Sequence, residues 1–174
     1  MKKFFTMMLV ASVALTGLSA MAGRTEEGTW SAGTNFKYDS ATVSGPHTYL
    51  EFQLGKFTEK DVLWGATVDV TSDDYVTTFA AGPKYECYFD MDTPWMPYIG
   101  LGIQVAHSSY DLGGSKSETA LVGELNLGMK FFLTENTAID MSFNASAATG
   151  DIYADEKGMT SNNIDFTIGF DFCF

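Results

Sequence analysis

The chain has 174 residues, with 10 lysines and arginines against 22 aspartates and glutamates, a formal net charge of −12. That balance argues against a nucleic-acid binder, which needs clustered cations to neutralise phosphates, and the sequence contains no Lys/Arg-rich run. CxxC, HExxH and glycine-rich phosphate-loop motifs are absent as well, so no cofactor and no metal site are expected.

The first stretch, MKKFFTMMLVASVALTGLSAMAG, combines two lysines, an apolar run from Phe4 to Leu18 and the triplet Ala20-Met21-Ala22. This is the pattern of a secretory signal peptide over residues 1–22, cut before Gly23. The run is shorter than the roughly 20 residues that a spanning helix requires. Cleavage would leave residues 23–174 as one domain, with 8 basic and 22 acidic residues and a net charge of −14.

Beyond Gly23 a period of two replaces helical periodicity, and eight alternating segments follow in order. They are Gly28–Asp39, Thr48–Phe57, Val62–Thr71, Val76–Phe89, Pro97–Ala106, Thr119–Leu133, Ala138–Ala147 and Asn162–Phe174. Turn-rich pieces such as TEKD, DMDTPW and TENT separate them. One parity is apolar throughout: Phe52 and Leu54, Trp64 and Val68, Ile99 to Val105 at every second residue, and Ile164 to Phe174 likewise. The other parity carries Lys37, Glu51, Asp69, Lys84, Glu86, Glu124, Lys130, Asp140, Asp165 and Asp171.

A soluble sandwich gives the same alternation with its apolar face inside. Two features favour the opposite arrangement. Glycines interleave with the charges (Gly33, Gly55, Gly65, Gly82, Gly100, Gly102, Gly128 and Gly169), as suits a crowded barrel interior. Trp30, Trp64 and Trp95, with Phe57, Phe89, Phe131, Phe132, Phe172 and Phe174, fall at one end of the segments, the pattern of an aromatic girdle at a membrane interface. Backbone groups left unpaired in lipid are costly, so such a sheet must close. The expected fold is all-β: an eight-stranded antiparallel up-and-down transmembrane β-barrel. Short turns on the side of the termini mark that side as periplasmic. Ser40–His47, Ser72–Tyr75, His107–Glu118 and Ala148–Ser161 are then outer loops.

The run GMKFFLTENTAIDMSF, from Gly128 to Phe143, resembles the sixth strand, turn and seventh strand of the small outer-membrane β-barrel domain family, the OmpA-like and OmpX-like barrels. TPWMPYIGLGI (Thr93 to Ile103) and FAAGPKYECYF (Phe79 to Phe89) resemble its middle strands. The resemblance implies a protein of the Gram-negative cell outer membrane, in contact with outer-membrane lipids and lipopolysaccharide, and monomeric. It also implies that Thr167, Gly169, Phe172 and Phe174 match the family's C-terminal assembly signal. The partners of such a signal are the barrel insertion machinery and periplasmic chaperones, which would engage the strand by strand addition.

Several finer expectations follow. Cys87 and Cys173 lie on opposite faces of distant strands and should be free thiols. Pro83 should force a bulge or a register shift, since it cannot donate to the ladder. Three lumen lysines should each pair with acids, leaving four carboxylates unmatched. A structural or surface-interaction role without catalysis fits these features. The alternatives are a narrow channel, and a lipid A-modifying hydrolase using His107 and Ser109 with Glu118 as acidic partner.

Overall fold

A computed structural model describes residues 24–39, 47–72, 76–111, 115–155 and 158–174. The expected signal peptide, residues 1–22, lies outside the described residues, as do parts of the expected outer loops at 40–46, 73–75, 112–114 and 156–157.

The strands are β1 (Trp30–Asp39), β2 (His47–Glu59), β3 (Val62–Ser72), β4 (Val76–Tyr88), β5 (Trp95–Asp111), β6 (Ser115–Phe132), β7 (Thr137–Ala148), β8 (Tyr153–Asp155), β9 (Gly158–Thr160) and β10 (Asn162–Cys173). Eight of them close in the order β1-β10-β7-β6-β5-β4-β3-β2, and every neighbouring pair is antiparallel. This is the up-and-down barrel that the period of two implies. Along β5 the exposed Ile99, Leu101, Ile103 and Val105 alternate with the buried Tyr98, Gln104, Ala106 and Ser108. The apolar parity faces outward and the polar parity fills the lumen, the arrangement of a barrel that crosses lipid.

The closing seam involves the chain end itself. Trp30 and Phe174 exchange both backbone hydrogen bonds at 2.8 Å, and Asn136 holds Cys173 through its backbone and its side chain at 2.9 Å. Paired on both flanks, the last residues have no backbone left to fray.

Three expectations need correction. The β5–β6 ladder continues from Trp95↔Phe131 to Asp111↔Ser115, so most of His107–Glu118 is a hairpin wall and not a loop. Ala148–Ser161 contains the small β8–β9 hairpin. Pro83 causes no shift of register: Ala81↔Val105 and Lys84↔Gly102 are in one register, and pairing lapses only at Gly82 and Pro83 between them. Proline removes one donor, and its ring points outward from the barrel wall, so the ladder loses a bond without displacing the strand. The irregularity in register occurs between Phe57 and Glu59 on β2 instead. Cys87 is half-buried and Cys173 buried, both as free thiols.

Candidate functional site: a lumen closed at both ends

The inward residues form four layers. The lowest, at the end that carries Trp30 and Phe174, is an apolar floor of Phe57, Leu63, Tyr88, Met96, Tyr98, Phe132, Ala138 and Cys173. Tyr88 lies between Phe57 and Tyr98, with ring centroids 5.4 and 5.3 Å away. The segment before β1 ties down beneath it: Gly28 N donates to Phe57 O at 2.7 Å, and Arg24 sits 4.9 Å from the Phe132 ring centroid. Tyr98 packs where a side chain on Gly128, its paired residue on β6, would have to stand. Glycine at 128 leaves room for that ring.

Above the floor runs a buried charge network. Lys84 Nζ lies 3.2 Å from both Glu51 and Glu86 and donates to Gln53 Oε1 at 3.1 Å. Lys130 pairs with Asp171 and stands 4.0 Å from Glu86. Ser31 donates to Asp171 at 2.6 Å, Tyr49 to Glu51 at 2.7 Å, and Tyr98 to both oxygens of Asp140 at 2.9 and 3.1 Å. The network therefore joins β1, β2, β4, β5, β6, β7 and β10 across the lumen. Buried charges persist only when paired and hydrogen-bonded, and here each lysine shares two carboxylates.

The third layer is a chamber of about 60 Å³, lined among others by Asp69, Gln104, Glu124, Asn144 and Asp165. Its carboxylates are held by amides: Gln104 donates to Asp69 at 2.6 Å, and Asn144 and Asn163 each donate to Asp165 at 2.8 Å. Asn126 donates to Glu124. Tyr153 enters from β8, and burial pushes its phenol up to about 12, so it enters as a neutral group.

At the outer end a loop residue packs down on the β4–β6 wall. Ala80, Ala106 and Ala120 stand side by side in register on β4, β5 and β6. With Val122 they form a socket for Ile152, which is 1% exposed. Thr78 and Ser108, one row further out, each donate to Ile152 O at 3.4 Å. Thr149 N, bonded to Leu121 O at 2.9 Å, fastens the start of the loop.

Nine of the ten residues expected on the lumen parity occupy these layers, and Lys37 is half-buried near the outer end of β1. Among the described residues Lys37 has no ion pair, so two of the three lysines are paired. Asp69, Glu124, Asp140 and Asp165 are the four acids without a lysine. Trp30, Trp64 and Trp95 are 43, 54 and 42% exposed on the outer face. Phe57 and Phe132, expected in that girdle, are corrected to the floor, at 2 and 5% exposure. Both belong to the inward parity of their strands; Phe172, also expected in the girdle, is 8% exposed although it stands on the outward parity of β10, whose last three residues are all buried. Of the C-terminal residues, Thr167, Gly169 and Phe172 are buried and Phe174 half-buried. The hydrolase arrangement does not assemble. His107 and Ser109 are exposed on the outer parity, where His107 Nδ1 meets Thr119 Oγ1 at 2.9 Å, while Glu118 pairs with Ser108 on the inner parity. Sequence reasoning missed Ile152. Its signal was three alanines at corresponding inward positions, facing one aliphatic residue in a polar loop.

The sequence matches the model of the outer membrane protein beta-barrel domain over residues 8–172. The chain belongs to this family. Among solved structures, this outer-membrane barrel is similar to Neisserial surface protein A, at 16% identity and a TM-score of 0.62, covering 84% of this chain and 96% of that one. It is similar to the N-terminal β-barrel domain of Pseudomonas aeruginosa OprF at 16% identity and a TM-score of 0.62, covering 86% and 98% of the two chains. The attachment invasion locus protein Ail of Yersinia pestis aligns at 15% identity and a TM-score of 0.52, over 85% and 99%. At such identities the likeness is one of fold. Comparison with curated protein sequences finds no match.

Proposed function

We propose that this outer-membrane barrel is a closed structural and surface-interaction protein, which conducts nothing through its lumen and carries out no catalysis. The observation that carries the reading is the filled lumen: an aromatic floor, a hydrogen-bonded charge network above it, and Ile152 packed on the wall at the outer end. Eight strands leave an interior that side chains can fill, whereas aqueous pores come with 16 to 18 strands. The protein then acts as a monomer at its exposed surface, among outer-membrane lipids and lipopolysaccharide, after export by its signal peptide. Single-channel recording in planar bilayers tests this. The expected trace is flat, and stepwise conductance from folded protein would replace the closed barrel with the narrow channel.

Thr167, Gly169, Phe172 and Phe174 serve assembly in the same proposal, as the strand that the insertion machinery and periplasmic chaperones engage. Deleting Phe174 should reduce surface yield in cells more than refolding yield in detergent. Equal losses in the two assays would remove the signal role.

A further inference from the structure

The chamber beneath Ile152 holds three carboxylates, and the two paired lysines of the lumen are engaged elsewhere; Lys37, opposite Tyr49 at the outer end of β1, makes no ion pair among the described residues. Asp69, Glu124 and Asp165 all line the cavity, but Lys84 pairs with Glu51 and Glu86, and Lys130 with Asp171 and Glu86. Amides satisfy part of this charge. Gln104 Nε2 lies 2.6 Å from Asp69 Oδ2 and 3.4 Å from Glu124 Oε2, bringing those two carboxylates together around one donor. The other oxygen, Asp69 Oδ1, is buried with no hydrogen-bond partner, on a side chain that is 5% exposed. An orphaned carboxylate oxygen away from water is costly unless something positive or donating stands beside it.

The space is adequate. About 60 Å³ exceeds several times the volume that a single water needs, so an ion fits there with part of its hydration shell. The remaining lining mixes oxygen-bearing groups, Thr71, Ser146, Asn144 and the Tyr49 and Tyr153 phenols, which suit a hard cation, with the apolar Val76, Ala80, Ala106 and Ile152. Among the described residues no three acidic, histidine or cysteine side chains converge closely enough to chelate a metal directly. An ion there would be held largely through its own waters, as magnesium commonly is.

We propose that the outer chamber binds one hydrated divalent cation of the magnesium or calcium class, between Asp69, Glu124 and Asp165. The ion enters from outside past the loop that Ile152 latches. Its charge offsets acids that the lysine network below leaves uncompensated, a role separate from any contact made by the outer surface.

Isothermal titration of the folded, chelator-stripped protein with Mg²⁺ and then Ca²⁺ in zwitterionic detergent tests the site. Wild type should bind one ion per barrel. Asp69→Asn and Asp165→Asn should each weaken binding at least tenfold, whereas Asp151→Asn, at an exposed loop acid, should leave it unchanged. Terbium luminescence, sensitised by Tyr49 and Tyr153, gives a second readout and should fall with the same two variants. Migration of unboiled samples on gels confirms that each variant is folded, and either chamber variant suffices if the other fails to fold. The absence of saturable binding at millimolar cation would overturn the proposal. So would an Asp151→Asn variant that weakens binding as much as the chamber variants do.

Discussion

At the periplasmic end the lumen is filled by strand residues, Phe57, Leu63, Tyr88, Met96, Tyr98 and Phe132 among them, whereas at the outer end it is filled by one loop residue, Ile152. The floor is part of the wall's own alternation, so it cannot leave without unfolding the strands that carry it. The cap is a side chain delivered across the mouth and seated among alanines, held by two 3.4 Å hydrogen bonds to its carbonyl. One closure is covalently and cooperatively part of the barrel. The other should open locally, at a free energy below the global one.

Substitutions at the two ends should separate these cases. Phe132→Ala, which empties the floor where Arg24 and the aromatic cluster meet, should lower unfolding stability by about 4 kcal/mol in urea titrations of the detergent-refolded protein. An unchanged midpoint would mean that the floor is not load on the fold at all. Lys84→Met lies between the two ends and leaves Glu51 and Glu86 without their shared cation. It should cost about 3 kcal/mol by the same measurement, and a parent-like midpoint would show a lumen wet enough to screen its charges.

Gly128→Ala sharpens the picture of the floor from the opposite direction. The new methyl group displaces the Tyr98 ring and its hydrogen bonds to Asp140, for a loss of about 2 kcal/mol. Gly128→Ala combined with Tyr98→Phe tells whether the clash or the lost hydroxyl dominates. Ile152→Ala should have the smallest global effect, about 1 kcal/mol or less, because the loop can release without the strands following. Its signature is local: faster proteolysis within 148–161 and faster amide exchange at Thr149, whose N–H is bonded to Leu121. Global destabilisation equal to that of Phe132→Ala would erase the distinction between floor and cap.

How much of this was legible in sequence follows from the same contrast. Strand number, closure and the lumen placement of Glu51, Lys84 and Asp171 rest on a period of two, and steric alternation across a pleated wall leaves no other choice. The floor was equally legible but was misread at Phe57 and Phe132, where proximity to the tryptophans outweighed their parity. Pro83 was read too strongly: the missing donor costs one ladder bond, and the flanking pairs hold the strand in register. The Ile152 cap lay beyond the reach of periodicity, because a loop's path is set by tertiary contacts that no repeat encodes. The pairing of Lys130 with Asp171, rather than with Asp140 directly opposite it in register, likewise depends on side-chain reach across the lumen.

The β5–β6 ladder runs without a break from Trp95↔Phe131 to Asp111↔Ser115. At about 3.3 Å per residue and a tilt near 40°, those seventeen paired rows rise roughly 40 Å, more than the ~30 Å of a hydrocarbon core. One hairpin therefore reaches past the lipid as a continuous mast, stiffened by the same ladder that builds the wall.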